Sequence, residues 1–141
     1  MVEVEGNCVT RPCGDKDIGV DKGYTEAFTD SDGDRHGTTL GAVLTAESDA
    51  LKIKYQRRNH LKAISEAKPH KAQKIQKNNL GRKKLNARRK IHKERIRDIA
   101  FKSVHSILDK ASTVVVEDLT GTIKSKRKQT KDTKRRLAGW I

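Results

Sequence analysis

Aromatic side chains are scarce: two phenylalanines, two tyrosines and one tryptophan make up 4% of the 141 residues. A single-strand platform of the RNA-recognition type stacks successive bases on aromatics of one sheet, so that class is excluded. Cysteine is scarcer still. Cys8 and Cys13 are too few for a disulfide framework or a four-ligand zinc site. They read as reduced thiols, which points to the cytoplasm, and no zinc is expected. No apolar run approaches the roughly 20 residues that span a bilayer. Residues 1–6 carry two glutamates, which a signal peptide would not, so no membrane partner is expected either. Apolar residues amount to 33% of the chain, which leaves a small core for this length.

What is abundant is positive charge. Lysine and arginine number 32 against 18 aspartates and glutamates, a net of +14. Charge of that size repels itself and calls for a polyanion, most commonly a phosphate backbone, with salt-sensitive binding. The distribution is uneven: residues 1–50 carry a net of −7, residues 51–102 a net of +16 and residues 103–141 a net of +5. An acidic front followed by a basic middle suggests an acid or metal site beside a nucleic-acid clamp.

The acidic front reads as strands. "VEVEG" alternates as an edge strand does, "DIGVDKG" is a short apolar run bounded by glycine, and "YTEAFTDSDGDRHG" contains Asp32-Gly33, a hairpin signal. The middle reads as helix. Residues 45–68 hold neither glycine nor proline, and Leu44, Leu51 and Tyr55 lie near one face. "PHKAQKIQKNNLG" interrupts that pattern, and a second helix is expected over residues 82–110, with Ile96, Ile99, Ala100, Val104, Ile107, Leu108 and Ala111 on one stripe. "STVVVEDLTG" then looks like a buried strand, parallel to the first across the helical crossover. Beyond it, "TIKSKRKQTKDTKRR" lacks apolar periodicity and reads as a flexible basic loop, and "LAGWI" begins something apolar at the chain end. The expected class is therefore α/β in a single domain. Antiparallel strands with a hairpin occupy residues 1–44, a basic helical hairpin residues 45–111, a buried strand residues 112–120, and a basic loop residues 121–141.

Two acids stand out by position. Asp21 lies within the first apolar strand and Glu117 at the end of the second. On parallel neighbouring strands the two carboxylates converge, and convergent carboxylates suit Mg²⁺. The pattern alone leaves open the alternative that each sits at a frayed strand end in water. Asp118 should point away from Glu117 if the strand is regular. Asp30, Asp32 and Asp34 around Gly33 resemble the start of a calcium loop, but the glycine is misplaced and no acid closes it, so a solvated turn is expected. The five histidines, His36, His60, His70, His92 and His105, form no metal-spaced cluster and suit surface or phosphate-contact roles. Phosphate contacts are expected of Arg57, Arg58, Arg82, Lys83, Lys84, Arg88, Arg89 and Lys90.

In this order, "DIGVDKGYTEAFTDSDGDRHG", a basic helical insert, "VVVEDLT" and "RRLAGWI" resemble the OrfB-type proteins of insertion sequences, also called TnpB, over residues 17–141. That family is related to the Cas12 effectors and carries a RuvC-type, RNase-H-like nuclease domain that cuts DNA under RNA guidance. The resemblance implies a partial RNase-H-like domain in which Asp21 and Glu117 are the first catalytic aspartate and the catalytic glutamate. It implies Mg²⁺ as the cofactor and DNA or guide RNA as the partner. The helices between the two acids would be the family's insertion, which contacts nucleic acid. The third catalytic aspartate and the CxxC…CxxC zinc ribbon of the family fall beyond Ile141. This chain is thus expected to hold two of three metal ligands, to bind nucleic acid and not to cut it. Two readings outside catalysis stand beside this one. One is a basic RNA- or DNA-binding protein whose acids only shape the fold, and the other is a partner of the intact nuclease or its guide RNA.

Overall fold

The computed structural model describes residues 2–3, 13–117 and 130–140. The chain folds as a mixed α/β structure. Its strands are β1 (Val2–Glu3), β2 (Lys16–Lys22), β3 (Phe28–Asp30), β4 (Arg35–His36) and β5 (Ala111–Val116). They form one sheet in the order β1-β5-β2-β3-β4. β2, β3 and β4 make an antiparallel meander, β1 pairs antiparallel with β5, and β5 pairs parallel with β2. The expected antiparallel front and the parallel β2–β5 pair are both present. A parallel pair needs a long crossover, and everything from β3 to the end of the helical region supplies it.

β2 alternates because Ile18 and Val20 are buried while Asp17, Asp21 and Lys22 stand in solvent. Ile18 and Val20 pack with Ile107 and Ala111, and Phe28 and Val114 lie against that cluster. A second cluster joins Ala27, Leu40, Leu44 and Ile96, and Phe28 touches it too. Phe28 is therefore the bridge between the sheet core and the base of the helices. The core is small, as the composition requires.

The helices are α1 (Leu40–Ala67), α2 (Pro69–Asn79), α3 (Lys83–Leu108) and α4 (Lys131–Trp140). Two expectations need correction here. The stretch after residue 68 does end α1, with Lys68 outside helical geometry, but it is itself helical, because Pro69 occupies the first turn of α2, where its missing N–H costs nothing. The basic segment after β5 is not loop throughout, since α4 occupies Lys131–Trp140 and lies against α1. Its start is marked by Thr130, whose hydroxyl accepts the Thr133 backbone N–H at 3.2 Å. That is the geometry of an N-cap. Residues 118–129 lie outside the described part, and with them Asp118 and the glycine-ended turn.

α1 has 28 residues, about 42 Å at 1.5 Å per residue. Its buried residues are Leu40, Val43, Leu44 and Ser48, all in the first third. α2 buries none, and α3 buries Leu85, Ile96, Ser103 and Ile107. The helical region is thus packed near the sheet and solvated away from it, as the charge pattern led us to expect. Polar contacts hold the outer part together. Arg58 donates to the carbonyl oxygens of Asn79 (3.4 Å), Leu80 (2.7 Å) and Gly81 (3.1 Å), closing the end of α2 against α1. Glu47 of α1 accepts a bidentate pair from Arg88 of α3, and Arg89 donates to the Tyr55 hydroxyl at 2.6 Å.

Candidate carboxylate pair and nucleic-acid interface

The β2–β5 register runs Ile18↔Val114, Gly19↔Val115 and Val20↔Val116. One further step sets Asp21 beside Glu117, which follows directly after β5. Side chains alternate along each strand, so both acids fall on the face opposite to Ile18 and Val20. Neighbouring strands lie about 4.8 Å apart, which leaves the two carboxylates free to converge. Both residues are exposed, so neither is the buried acid that the apolar runs suggested. Asp21 sits where β2 emerges toward solvent. Among the described residues no group of three or more histidines, cysteines, aspartates and glutamates is arranged to hold a metal ion.

The basic residues divide by what they already hold. Arg57, Arg82, Lys83 and Lys84 are exposed around the far end of the helical region. Lys90 is exposed and lies 4.0 Å from Glu94, an i,i+4 pair of small value. Arg58, Arg88 and Arg89 are engaged internally, as the end cap of α2, the partner of Glu47 and the donor to Tyr55. The hydrogen bonds that Arg88 donates to Glu47 raise the pKa of Arg88 further. His92 is held below the usual imidazole range, chiefly by burial, and so adds no charge to the arm at neutral pH.

The aspartates of the hairpin turn need a correction. Gly33 takes φ 87° and makes the expected turn, but Asp30 is not solvated. Its side chain is 0% exposed and accepts from His36 Nε2 at 2.9 Å and from the Asp34 backbone N–H at 2.8 Å. Lys110 lies 3.6 Å from the same carboxylate and also pairs with Asp34. Hydrogen bonding from His36 leads the causes that hold Asp30 below the usual carboxylate range, against an opposing effect of burial. His36 is likewise buried, not at the surface. Its other ring nitrogen, Nδ1, lies 3.2 Å from the Ser106 hydroxyl of α3. Nε2 donates to Asp30, and Nδ1 shares a hydrogen bond with the Ser106 hydroxyl. Both ring nitrogens are thereby satisfied, and the imidazole works as a strut between the hairpin and α3.

Sequence reasoning missed this group. The register Phe28↔His36 puts His36 on the inward face with Phe28 and Asp30, and an alternation count across the hairpin would have shown it. Beside it lies a cleft of about 480 Å³, lined in part by Arg35, His36, Gly37, Arg95, Lys102 and Ser106. No family model, curated protein or solved structure matches the chain.

Proposed function

We propose that this chain is a nucleic-acid-binding part of a RuvC-like, RNase-H-like nuclease of the transposon-encoded OrfB/TnpB type. Asp21 and Glu117 would be two of its metal-binding carboxylates. The observation that carries the reading is the parallel β2–β5 register, whose extension by one residue would set the two acids on one face, together with the +16 helical segment inserted between them. Phosphate backbones attract such a segment without reading sequence.

A divalent ion fits the residues only in part. Two exposed carboxylates on adjacent strands offer hard oxygen donors, and Mg²⁺ takes these while keeping several waters. When bound, such an ion stabilises charge on a phosphodiester and activates water. The contribution of the chain itself is to hold the two carboxylates in register and to gather the polyanion on the helical arm. With no third acid beside them among the described residues, metal binding is expected to be weak. That same observation favours a second reading, a non-catalytic DNA- or RNA-binding protein in which Asp21 and Glu117 shape the fold alone. Among the described residues no helix is long and apolar enough to cross a membrane.

Titration with Mn²⁺, following the free ion by its paramagnetic signal, separates the two. The nuclease reading expects one weak site per chain that disappears in the Asp21→Asn/Glu117→Gln variant. Equal Mn²⁺ uptake by the variant and the parent, or none by either, would leave only the non-catalytic reading.

A further inference from the structure

We infer that the cleft between the β4–α1 junction and the second half of α3 is a phosphate-binding site, separate from both the carboxylate pair and the far end of the helical arm. The source of the phosphate rests on the reading above: a backbone phosphate of the bound nucleic acid. The site itself rests on its own geometry.

The cleft has about 480 Å³ of space, and three cations border it: Arg35 from β4, and Arg95 and Lys102 from α3. Arg95 is exposed at the edge of the cleft and has no hydrogen bond or ion pair with any described residue. Lys102 pairs with Asp98 at 2.8 Å, the one acid of the lining, but both are largely exposed at 74% and 57%. An exposed i,i+4 pair of this kind is weak and does not commit the lysine to Asp98. Arg35 reaches Glu26 at 2.9 Å and is itself 67% exposed. The lining is thus cationic overall, and its strongest donor has nothing to bind.

Hydroxyl donors complete the lining. Thr38 and Thr39 come from the turn into α1, while the Ser106 hydroxyl of α3 is already engaged with His36. Thr39 stands at the N-cap of α1 yet makes no capping hydrogen bond with its side chain, and the first turn of α1 contains no acid. The first turn of α1 thus has neither a side-chain cap nor an acid, although its Leu40 and Gly41 N–H groups already donate to the Gly37 and Thr25 carbonyl oxygens. This adds to the cations and would not make a site alone. The floor is rigid. Gly37 adopts φ 67°, and a Cβ there would lie 2.5 Å from Ser103 Oγ and 2.7 Å from Ala27 Cβ. The Asp30–His36–Ser106 hydrogen bonds fix the side wall. Preformed walls, convergent cations and hydroxyls suit the tetrahedral oxygens of a phosphate, and arginine binds them in a bidentate manner.

The test uses the full ¹⁵N-labelled chain. Inorganic phosphate is titrated against chloride at matched ionic strength, then a short oligonucleotide is titrated, for the parent and for Arg95→Ala/Lys102→Ala. Both substituted residues are exposed, and circular dichroism checks that the fold survives. Phosphate is expected to shift the amides of Thr38, Thr39 and Ser106 in a saturable way, and the variant to lose the shifts. The oligonucleotide is expected to move the same amides, and the variant to lower the slope of log affinity against log salt by roughly one unit per lost cation. Phosphate that leaves these amides unmoved, or moves them equally in the variant, overturns the site. Phosphate that moves them while the oligonucleotide does not overturns the nucleic-acid source and assigns the cleft to free phosphate compounds. An Arg82→Ala/Lys83→Ala/Lys84→Ala variant, measured alongside, reports on nucleic-acid binding by the arm independently of the cleft.

Discussion

Replacing Asp30 tests the part of the structure that sequence reasoning misjudged. Its carboxylate is fully buried, and it receives the His36 imidazole at 2.9 Å and the Asp34 N–H at 2.8 Å. Asp30→Ala leaves both donors without their acceptor. Orphaning the buried His36 donor costs about 1–3 kcal/mol, and the less buried Asp34 N–H about 1 kcal/mol, so the variant is expected to lose about 2–4 kcal/mol. A domain with about 5–15 kcal/mol in total would then be visibly destabilised. Asp30→Asn keeps an acceptor oxygen for at least one donor and gives up the charge that faces Lys110, so it should cost less than the alanine. The carboxyl is held below its ordinary value, chiefly by the His36 hydrogen bond. A depressed folded-state pKa contributes stability that is complete above the ordinary value near 3.8 and fades as pH falls through the folded value. The parent should therefore lose stability below that pH, and Asp30→Ala should lose this acid limb. Urea unfolding followed by the helical circular-dichroism signal, at pH 7 and at steps below pH 4, measures both effects. An alanine variant within about 0.5 kcal/mol of the parent, a scale typical of surface substitutions, would refute the buried lock. An asparagine variant as damaging as alanine would refute its hydrogen-bond basis.

Three further outcomes follow from named contacts. Gly37→Ala must place a side chain at φ 67° and 2.5 Å from Ser103 Oγ. Left-handed strain and overpacking together are expected to cost about 2–5 kcal/mol, and an unchanged denaturation midpoint would contradict the close β4–α3 approach. Arg58→Ala removes the donor to three carbonyls at the end of α2, so hydrogen exchange should accelerate at the Leu80 amide while amides of β2 and β5 keep their protection. Equal protection at Leu80 in both proteins would show that Arg58 is not its cap. The purified chain is expected to leave single- and double-stranded DNA uncut in Mg²⁺ or Mn²⁺. Cutting by the parent but not by Asp21→Ala would show that another acid supplies the missing ligand.

The sequence announced those features whose physics is local or strictly periodic. Ile18 and Val20 alternate with charged neighbours, the three valines of β5 form a strand, though Val114 and Val115 are only half-buried and Val116 is exposed rather than buried as expected, and Asp32-Gly33 makes a turn. The parallel pairing of β2 with β5 followed from their separation by helices. What stayed hidden depends on contacts distant in the chain. Val104 seemed part of the apolar stripe of α3, yet it is 41% exposed, and Ser103 is buried in its place. The reason is Gly37, which brings the β4–α1 turn so close to α3 that only a small side chain fits. Asp30 and His36 read as solvated because they flank a turn, and their burial arises from Ser106 and Lys110, seventy residues or more away. Pro69 marked a real break, but that it also starts a new helix was hidden, because a proline inside a helix and one at a helix start are alike in sequence. Arg88, one of the most conspicuous cations of the arm, is occupied by Glu47, an acid 41 positions earlier.

The central claim is that the helical segment binds nucleic acid through phosphates. Its most direct test is the salt dependence of oligonucleotide affinity, measured by fluorescence anisotropy for the parent and for a variant with Arg57, Arg82, Lys83 and Lys84 changed to glutamate. These four are exposed on the arm. Each phosphate neutralised adds about 0.7–0.9 to the slope of log affinity against log salt. The account predicts a slope of several units for the parent, a slope roughly three units smaller for the variant, and a similar loss of affinity for unrelated sequences. An affinity independent of salt, or a variant that binds as the parent does, would contradict it.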